Sequence, residues 1–163
     1  MIEVSRLREL LHYDPETGVL TNRVLRGRKA KVGAVAGVPN SLGYLVVRID
    51  SANYLAHRIA WAIQTGKWPP EQVDHVNTHR SDNRWINLRE ANNSENNRNR
   101  GPQKNNMLGL KGVYFDKERG LFIAKIKLSG KSVWLGRFNC PAAAHFAYVI
   151  KASELHGEFA RAS

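Results

Sequence analysis

Between Gln72 and Arg100 the chain is poor in aliphatic side chains and dense in Asn, His, Asp and Arg. Such a stretch cannot build an apolar core. Its polar groups must hold one another or hold a ligand, because a polar group buried without a partner is costly. Any fold open to this chain has to wrap that segment around something.

The flanking segments carry the periodic signals. Val4, Leu7, Leu10 and Leu11 recur at helical spacing, which predicts an amphipathic helix over residues 3–12. Asp14-Pro15-Glu16-Thr17-Gly18 is a turn. Strand-like runs follow over residues 18–24, 34–38, 44–49 and 54–56, punctuated by Gly33, Gly37, Pro39, Asn40 and Gly43. Arg26, Arg28, Lys29 and Lys31 form a basic loop that reads either as a solvated hairpin tip or as a contact to backbone phosphates. Residues 57–66 predict a helix with Ile59, Ala60 and Ile63 on one side, Gly66 as its C-terminal cap and Pro69-Pro70 preventing continuation. Residues 101–109 read as a linker. Three strands are expected over residues 112–116, 121–128 and 131–138, with Ser129-Gly130 as a tight turn, and then a helix from Pro141 to His156. No internal repeat is visible.

The charge balance restricts the partner. Lys and Arg number 25 against 14 Asp and Glu, a formal net charge of +11. A surface that positive attracts polyanions over a Debye length of about 10 Å, and nucleic acid is the commonest of these. No stretch approaches the ~18 apolar residues of a spanning helix. Arg6, Arg8 and Glu9 interrupt any signal-peptide pattern, so a reducing cytosol is expected. The single cysteine, Cys140, excludes an internal disulfide and a cysteine-based zinc site, and is expected to be a small packed residue.

Within the polar stretch, the order is Val73-Asp74-His75-Val76-Asn77, Asp82-Asn83-Arg84, Asn87-Leu88-Arg89, and Ser94-Glu95-Asn96-Asn97-Arg98-Asn99-Arg100. Hydrolysis of a phosphodiester needs an activated water, a cation on the leaving oxygen and a fixed geometry. An imidazole is a competent base near neutral pH, which suits His75. Asp74 offers a hard anionic oxygen and Asn96 a neutral amide oxygen, a donor set that favours magnesium or manganese over zinc. Neighbours on a strand point to opposite faces, so Asp74 and His75 could share one site only from a bulged or twisted strand end.

These elements, with His57-Arg58-Ile59-Ala60-Trp61 ahead of them, resemble the HNH endonucleases of the phage and homing branch over roughly residues 7–100. The resemblance implies a ββα-metal core: strands at about 72–76 and 88–91, and a helix at about 93–100 bringing Asn96 to the ion. It also implies that Asn87 pins the connecting loop and orients the histidine. Asn77, Asp82 and Asn83 read as structural, bonding the loop backbone. Arg84, Arg89, Arg98 and Arg100 are candidates for phosphate contacts. His57 reads as fold support or a DNA contact, and His79 as a spectator or accessory ligand. Asn22 stands where such proteins often carry a bulky aromatic, which bears on local packing.

The C-terminal part is similar to the Apetala-two domain of plant ethylene-response factors over residues 110–160. The resemblance rests on Lys111-Gly112-Val113-Tyr114, Phe122 to Lys127, Val133-Trp134-Leu135-Gly136-Arg137-Phe138 and the alanine-rich helix. Alternation alone puts Phe122, Ala124, Ile126 and Leu128 on one face and Ile123, Lys125 and Lys127 on the other. A cationic sheet face of this kind can enter a major groove. Lys104 belongs to the basic linker, and the resemblance implies DNA contacts at or near Lys111, Tyr114, Lys117, Arg119, Lys127, Trp134 and Arg137, to which the face adds Lys125. Several lysines stand where the plant domains use arginine, which suggests more phosphate grip and looser base reading.

The expectation is an α+β chain. It has an HNH nuclease domain over residues 1–100, a linker over 101–109, and over 110–163 a three-stranded antiparallel sheet packed on one helix. The function expected is a DNA endonuclease with one Mg2+ or Mn2+ ion, His75 and Asn87 as catalytic residues, and Asp74 and Asn96 as metal ligands. Its partner would be double-stranded DNA, with no membrane and no small-molecule cofactor, acting as a monomer with a dimer left open. A phage homing role in the cytoplasm of a bacterial host is expected, with nicking or double-strand cutting undecided. The rivals are a DNA-binding regulator without catalysis and a phage packaging nuclease.

Overall fold

The computed structural model describes residues 1–163 apart from 100, 103–105, 129, 158–159 and 161–163, and leaves out the side chains of Ser94, Asn97 and Arg98. Four of the candidate DNA contacts or turn residues named above (Arg98 by its side chain, Arg100, Lys104 and Ser129) therefore lie outside the described residues. The fold is α+β, built from short antiparallel sheets and helices. It divides into two units, residues 1–93 and 94–163. The division falls earlier than a boundary near 100. The segment Asn93–Asn99 is a helix with no apolar side chain, so no hydrophobic face commits it to a core.

In the first unit, α1 (Val4–Leu10) runs directly into β1 (Leu11–Tyr13), which pairs with β2 (Leu20–Asn22). The helix ends sooner than periodicity predicts because Leu11 is already extended. Next come β3 (Val38–Pro39), β4 (Leu45–Ile49) and β5 (Ala52–Leu55), with β4 in the middle. Asp50 and Ser51 connect β4 to β5, both at positive φ (46° and 67°), as a two-residue primed hairpin turn requires. Helix α2 (Ala56–Thr65) starts without a break after β5 and ends at Gly66. Its buried face, Ala56, Ile59, Ala60 and Ala62, packs with Leu7, Leu10, Leu11, Val47 and Ile49 into one core.

The polar stretch forms the ribbon β6 (Gln72–His75) and β7 (Leu88–Ala91), paired antiparallel. Only Val73 and Leu88 of this ribbon join the apolar core. Asn22 is buried without disrupting packing. Its amide donates to the Ala34 carbonyl and its oxygen accepts from Arg26, so hydrogen bonds hold the position that an aromatic would hold by contact.

The second unit begins with α3 (Asn93–Asn99, of which Asn93 belongs to the first unit) and continues as the sheet β8 (Val113–Asp116), β9 (Leu121–Leu128) and β10 (Lys131–Phe138), with β9 central. Helix α4 (Pro141–His156) covers one face. Ala124 and Ile126 are buried beneath it, with Val113, Ala144, Tyr148 and Ala152, while Leu128 is exposed at the strand end. Cys140 is not packed away as expected. It is exposed and caps α4, its Sγ accepting from the Ala143 N–H at 3.4 Å, just ahead of Pro141.

Gly112 lets the chain cross the buried ring of Tyr148. A Cβ there would lie 2.0 Å from Cδ2 of Tyr148, and the backbone sits at φ +76°. Gly112→Ala combines overpacking with a left-handed backbone and should destabilise the second unit by about 2–4 kcal/mol. Urea denaturation measures this. A loss below about 1 kcal/mol would mean that Tyr148 moves aside freely.

Candidate active site

The β6–β7 ladder is regular through Asp74↔Arg89 and His75↔Leu88. The bulge that would aim Asp74 and His75 at one face is absent, so alternation sends them to opposite faces. Asp74 meets its cross-strand partner: Arg89 Nε and Nη2 both donate to its Oδ2, at 3.1 and 3.0 Å. The pair is nearly closed off from solvent, with side-chain exposures of 12% for Arg89 and 8% for Asp74. Two nitrogens of the Arg89 guanidinium thus bind Asp74 in this structure.

His75 turns the other way and is only 4% exposed. Its ring stands edge-on to His57 (centroids 4.9 Å apart, 78° between planes) and 6.0 Å from Tyr44. Arg80 lies over the Tyr44 ring and donates to the Leu42 carbonyl. Nε2 of His75 is 3.0 Å from Oδ1 of Asn83, and both groups are buried. With that oxygen accepting, the proton resides on Nε2 and the lone pair on Nδ1. Asn83 therefore acts on the imidazole rather than on the loop backbone.

Three contacts hold the backbone of residues 83–85. The hydroxyl of Tyr13 donates to the Asn83 carbonyl at 2.7 Å. The backbone of Trp85 donates to the Pro15 carbonyl at 2.9 Å. Gly18 presses on the backbone between them, where a Cβ would lie 2.4 Å from the Arg84 nitrogen. The turn at Asp14–Gly18 is thus a buttress for the loop that orients His75. The loop is also tied internally. Asn87 Oδ1 accepts from the Asn77 N–H and its Nδ2 donates to the Asp82 carbonyl. Asp82 accepts from Arg84 and from Asn77, which hold its carboxyl well below the usual range. Arg84 is half exposed while it makes this pair. His79 is exposed, and its backbone joins the loop, the N–H donating to the Asn77 side chain and the carbonyl accepting from the Asp82 N–H.

His57 is buried, and its Nδ1 has no hydrogen-bond partner among the described residues. Burial, then the neighbouring His75, then Arg58 push it down to about 3. Burial also lowers His75, against the raising effect of Asn83. Sequence reasoning gave His57 no chemical role and missed Asn83 and Tyr44 as neighbours of the candidate base. The pattern carried no sign of them, because the ring contacts join residues 13 to 31 positions apart.

The donors suit a hard cation. Among the described residues no three His, Cys, Asp or Glu side chains come together. A cation taken by Asp74 would complete its shell with amide oxygens, water or substrate phosphate, which is how magnesium is usually bound. Asn96 lies on α3 and is half-buried. In the second unit, the sheet face away from α4 carries Lys125 paired with Trp134, and Tyr114 in register with Ile123 and Arg137. Trp134 is 47% exposed, with Lys125 and Arg137 over its ring at 5.6 and 5.0 Å. Lys117, Lys127 and Arg119 are exposed, Arg119 pairing with Asp116, while Lys111 is half-buried.

The depressed histidines make stability depend on pH. The folded state keeps His57 neutral, whereas the unfolded chain takes up a proton below about 6.5. Below that pH the unfolded state binds more protons, so stability falls as pH drops toward the folded value of about 3. His57 should contribute a loss of up to about 1.4 kcal/mol per pH unit, His75 adds in the same direction, and Asp14 and Asp82 take effect only at lower pH. Denaturation in urea at about pH 7, 6 and 5 reads this slope, and a flat profile across that window would refute it.

Residues 54–98 match a family model described as HNH endonuclease. No curated protein and no solved structure matches. Among the described residues no helix is long and apolar enough to cross a membrane. The matched residues run from the end of β5 through α2 and the ribbon into α3, so the segment that holds His57, Asp74, His75, Asn83 and Asn87 is similar to HNH endonucleases.

Proposed function

We propose that the protein is a divalent-metal-dependent endonuclease that hydrolyses phosphodiester bonds in double-stranded DNA. The observation that carries this reading is His75: a buried neutral imidazole, oriented through Asn83, on a ribbon whose loop is pinned by Asn87, inside the HNH-matching segment. His75 accepts a proton from the attacking water, whose oxygen bonds to phosphorus as the bond to the 3′-oxygen breaks. Asn83 keeps the imidazole in one tautomer and one orientation. A cation bound through Asp74, with Asn96 as the second donor nominated by the sequence, would neutralise charge on the phosphate and the leaving oxygen, provided the end of β6 twists on binding DNA so that Asp74 and His75 meet one phosphate. The products are a 5′-phosphate and a 3′-hydroxyl.

The exposed cations and aromatics of the second sheet support a DNA-gripping role of the Apetala-two kind. Reading an extended site in this way is what a mobile-element, homing nuclease needs. One site per chain implies that a monomer nicks one strand at a time.

Two observations favour a second reading, a DNA-binding protein that does not cut. His75 is almost sealed from solvent and Arg89 occupies a carboxylate oxygen of Asp74.

A plasmid assay decides. With Mg2+ or Mn2+, wild-type protein should convert supercoiled DNA to nicked circles, and a chelator should stop it. His75→Ala should abolish cutting and keep DNA affinity. Asn83→Ala should lower kcat by roughly 100-fold with little change in KM, since it disturbs the base rather than the binding surface. Intact plasmid that is nonetheless bound by metal-supplied protein would overturn the nuclease reading in favour of the second.

A further inference from the structure

The basic loop after β2 takes no part in the hydrolysis proposed for His75. It folds against the β4–β5 turn and α1 around a cavity of about 570 Å³. Arg6, Arg26, Arg28, Lys29 and Arg48 line it against a single acid, Asp50. Two of the five cations are committed. Arg6 pairs with Glu9, and Arg26 holds the cavity together by donating to Asn22 and to the Arg48 carbonyl at 2.8 Å. The side chains of Arg28, Lys29 and Arg48 are exposed and have no ion-pair or hydrogen-bond partner among the described residues. Three uncompensated cations around one concavity repel each other, and an anion inside relieves that repulsion.

The position of the cavity selects the anion. Strand β4 is the central strand of its sheet and bridges two features. At its start stands Tyr44, whose ring is 6.0 Å from that of His75. Toward its end stands Arg48. At about 3.3 Å per residue, Arg48 lies roughly 13 Å along the strand from Tyr44. DNA rises about 3.4 Å per base pair, so the whole separation from His75 corresponds to roughly four to six base pairs.

We propose that this cavity is a second DNA-backbone site. Arg28, Lys29 and Arg48 grip phosphodiesters of the duplex roughly four to six base pairs from the bond presented to His75, and β4 acts as the spacer. The spacing rests on the nuclease reading. The grip on DNA does not.

The two are separated by measuring binding without cutting. In a His75→Ala background without metal, duplex affinity is followed as a function of salt. The variant Arg28→Ala/Lys29→Ala/Arg48→Ala should lower the steepness of log affinity against log salt by about 0.9 for each phosphate no longer neutralised, and weaken binding roughly tenfold or more at about 0.1 M salt. The charge-preserving Arg28→Lys/Lys29→Arg/Arg48→Lys should restore most of the steepness, which excludes misfolding as the cause. With Cys140→Ser, an iron chelate tethered at Arg28→Cys should scar the DNA roughly four to six base pairs from the wild-type cut. An unchanged salt dependence would overturn the proposal. So would saturable binding of inorganic phosphate in the cavity with DNA affinity unaffected, which would make it a small-anion pocket. Scars far from that interval would overturn the spacing. A lowered steepness in a protein that never cuts would uphold the DNA site and sink the nuclease reading alone.

Discussion

The hydrogen bond between His75 Nε2 and Asn83 Oδ1 organises the first unit. It joins a strand to a loop, and both partners are buried. A bond of this sort survives only if its surroundings hold both ends still. On one side the β6–β7 ladder fixes His75. On the other, Tyr13, the turn at Asp14–Gly18 and the paired Asn87–Asp82 contacts fix Asn83. The N-terminal hairpin, which carries none of the motif residues, is therefore part of the machinery that orients the base.

Burial is used with two opposite consequences around this ribbon. On the His75 face, His57 and His75 are kept neutral, because desolvation penalises the imidazolium and each ring would repel a charged neighbour. On the other face, Asp74 pairs with Arg89. A buried ion pair of this kind is strongly destabilising to break by removing one partner. Strand alternation gives the two neighbours different partners, while the Asp74 carboxylate still acts on His75 through space and opposes part of the effect of burial.

The second unit solves a different problem with few residues. One sheet face is apolar and covered by α4, and the crossing of Gly112 over Tyr148 sets how closely they meet. The other face is free to be cationic. Trp134, with Lys125 and Arg137 above it, presents a flat apolar ring within a positive field, a combination suited to a polyanion with stackable groups.

Much of the architecture was legible from the residues. The α+β class, the helix beginning at Pro141 and the central strand Leu121–Leu128 follow from periodicity and turn chemistry, which depend on neighbours in the chain, whereas the ribbon strands were expected from the family resemblance. So did the location of the candidate chemistry, because an acid, an imidazole and amides in that order are rarely tolerated without a purpose. The short β5 and its turn were harder to see, since Asp50-Ser51 adopts positive φ without the glycine that normally announces it. Cys140 reads as core by type and acts as a cap by position. The environment of the base was not legible at all. Asn83, Tyr44 and His57 reach His75 from three separate segments, and Arg89 finds Asp74 only through the register of two strands. Local propensity acts over a few residues, whereas these contacts are selected by packing across the whole unit. The sequence by itself therefore determined which groups could do chemistry, and the tertiary structure alone decided which faces they share and which partners they meet.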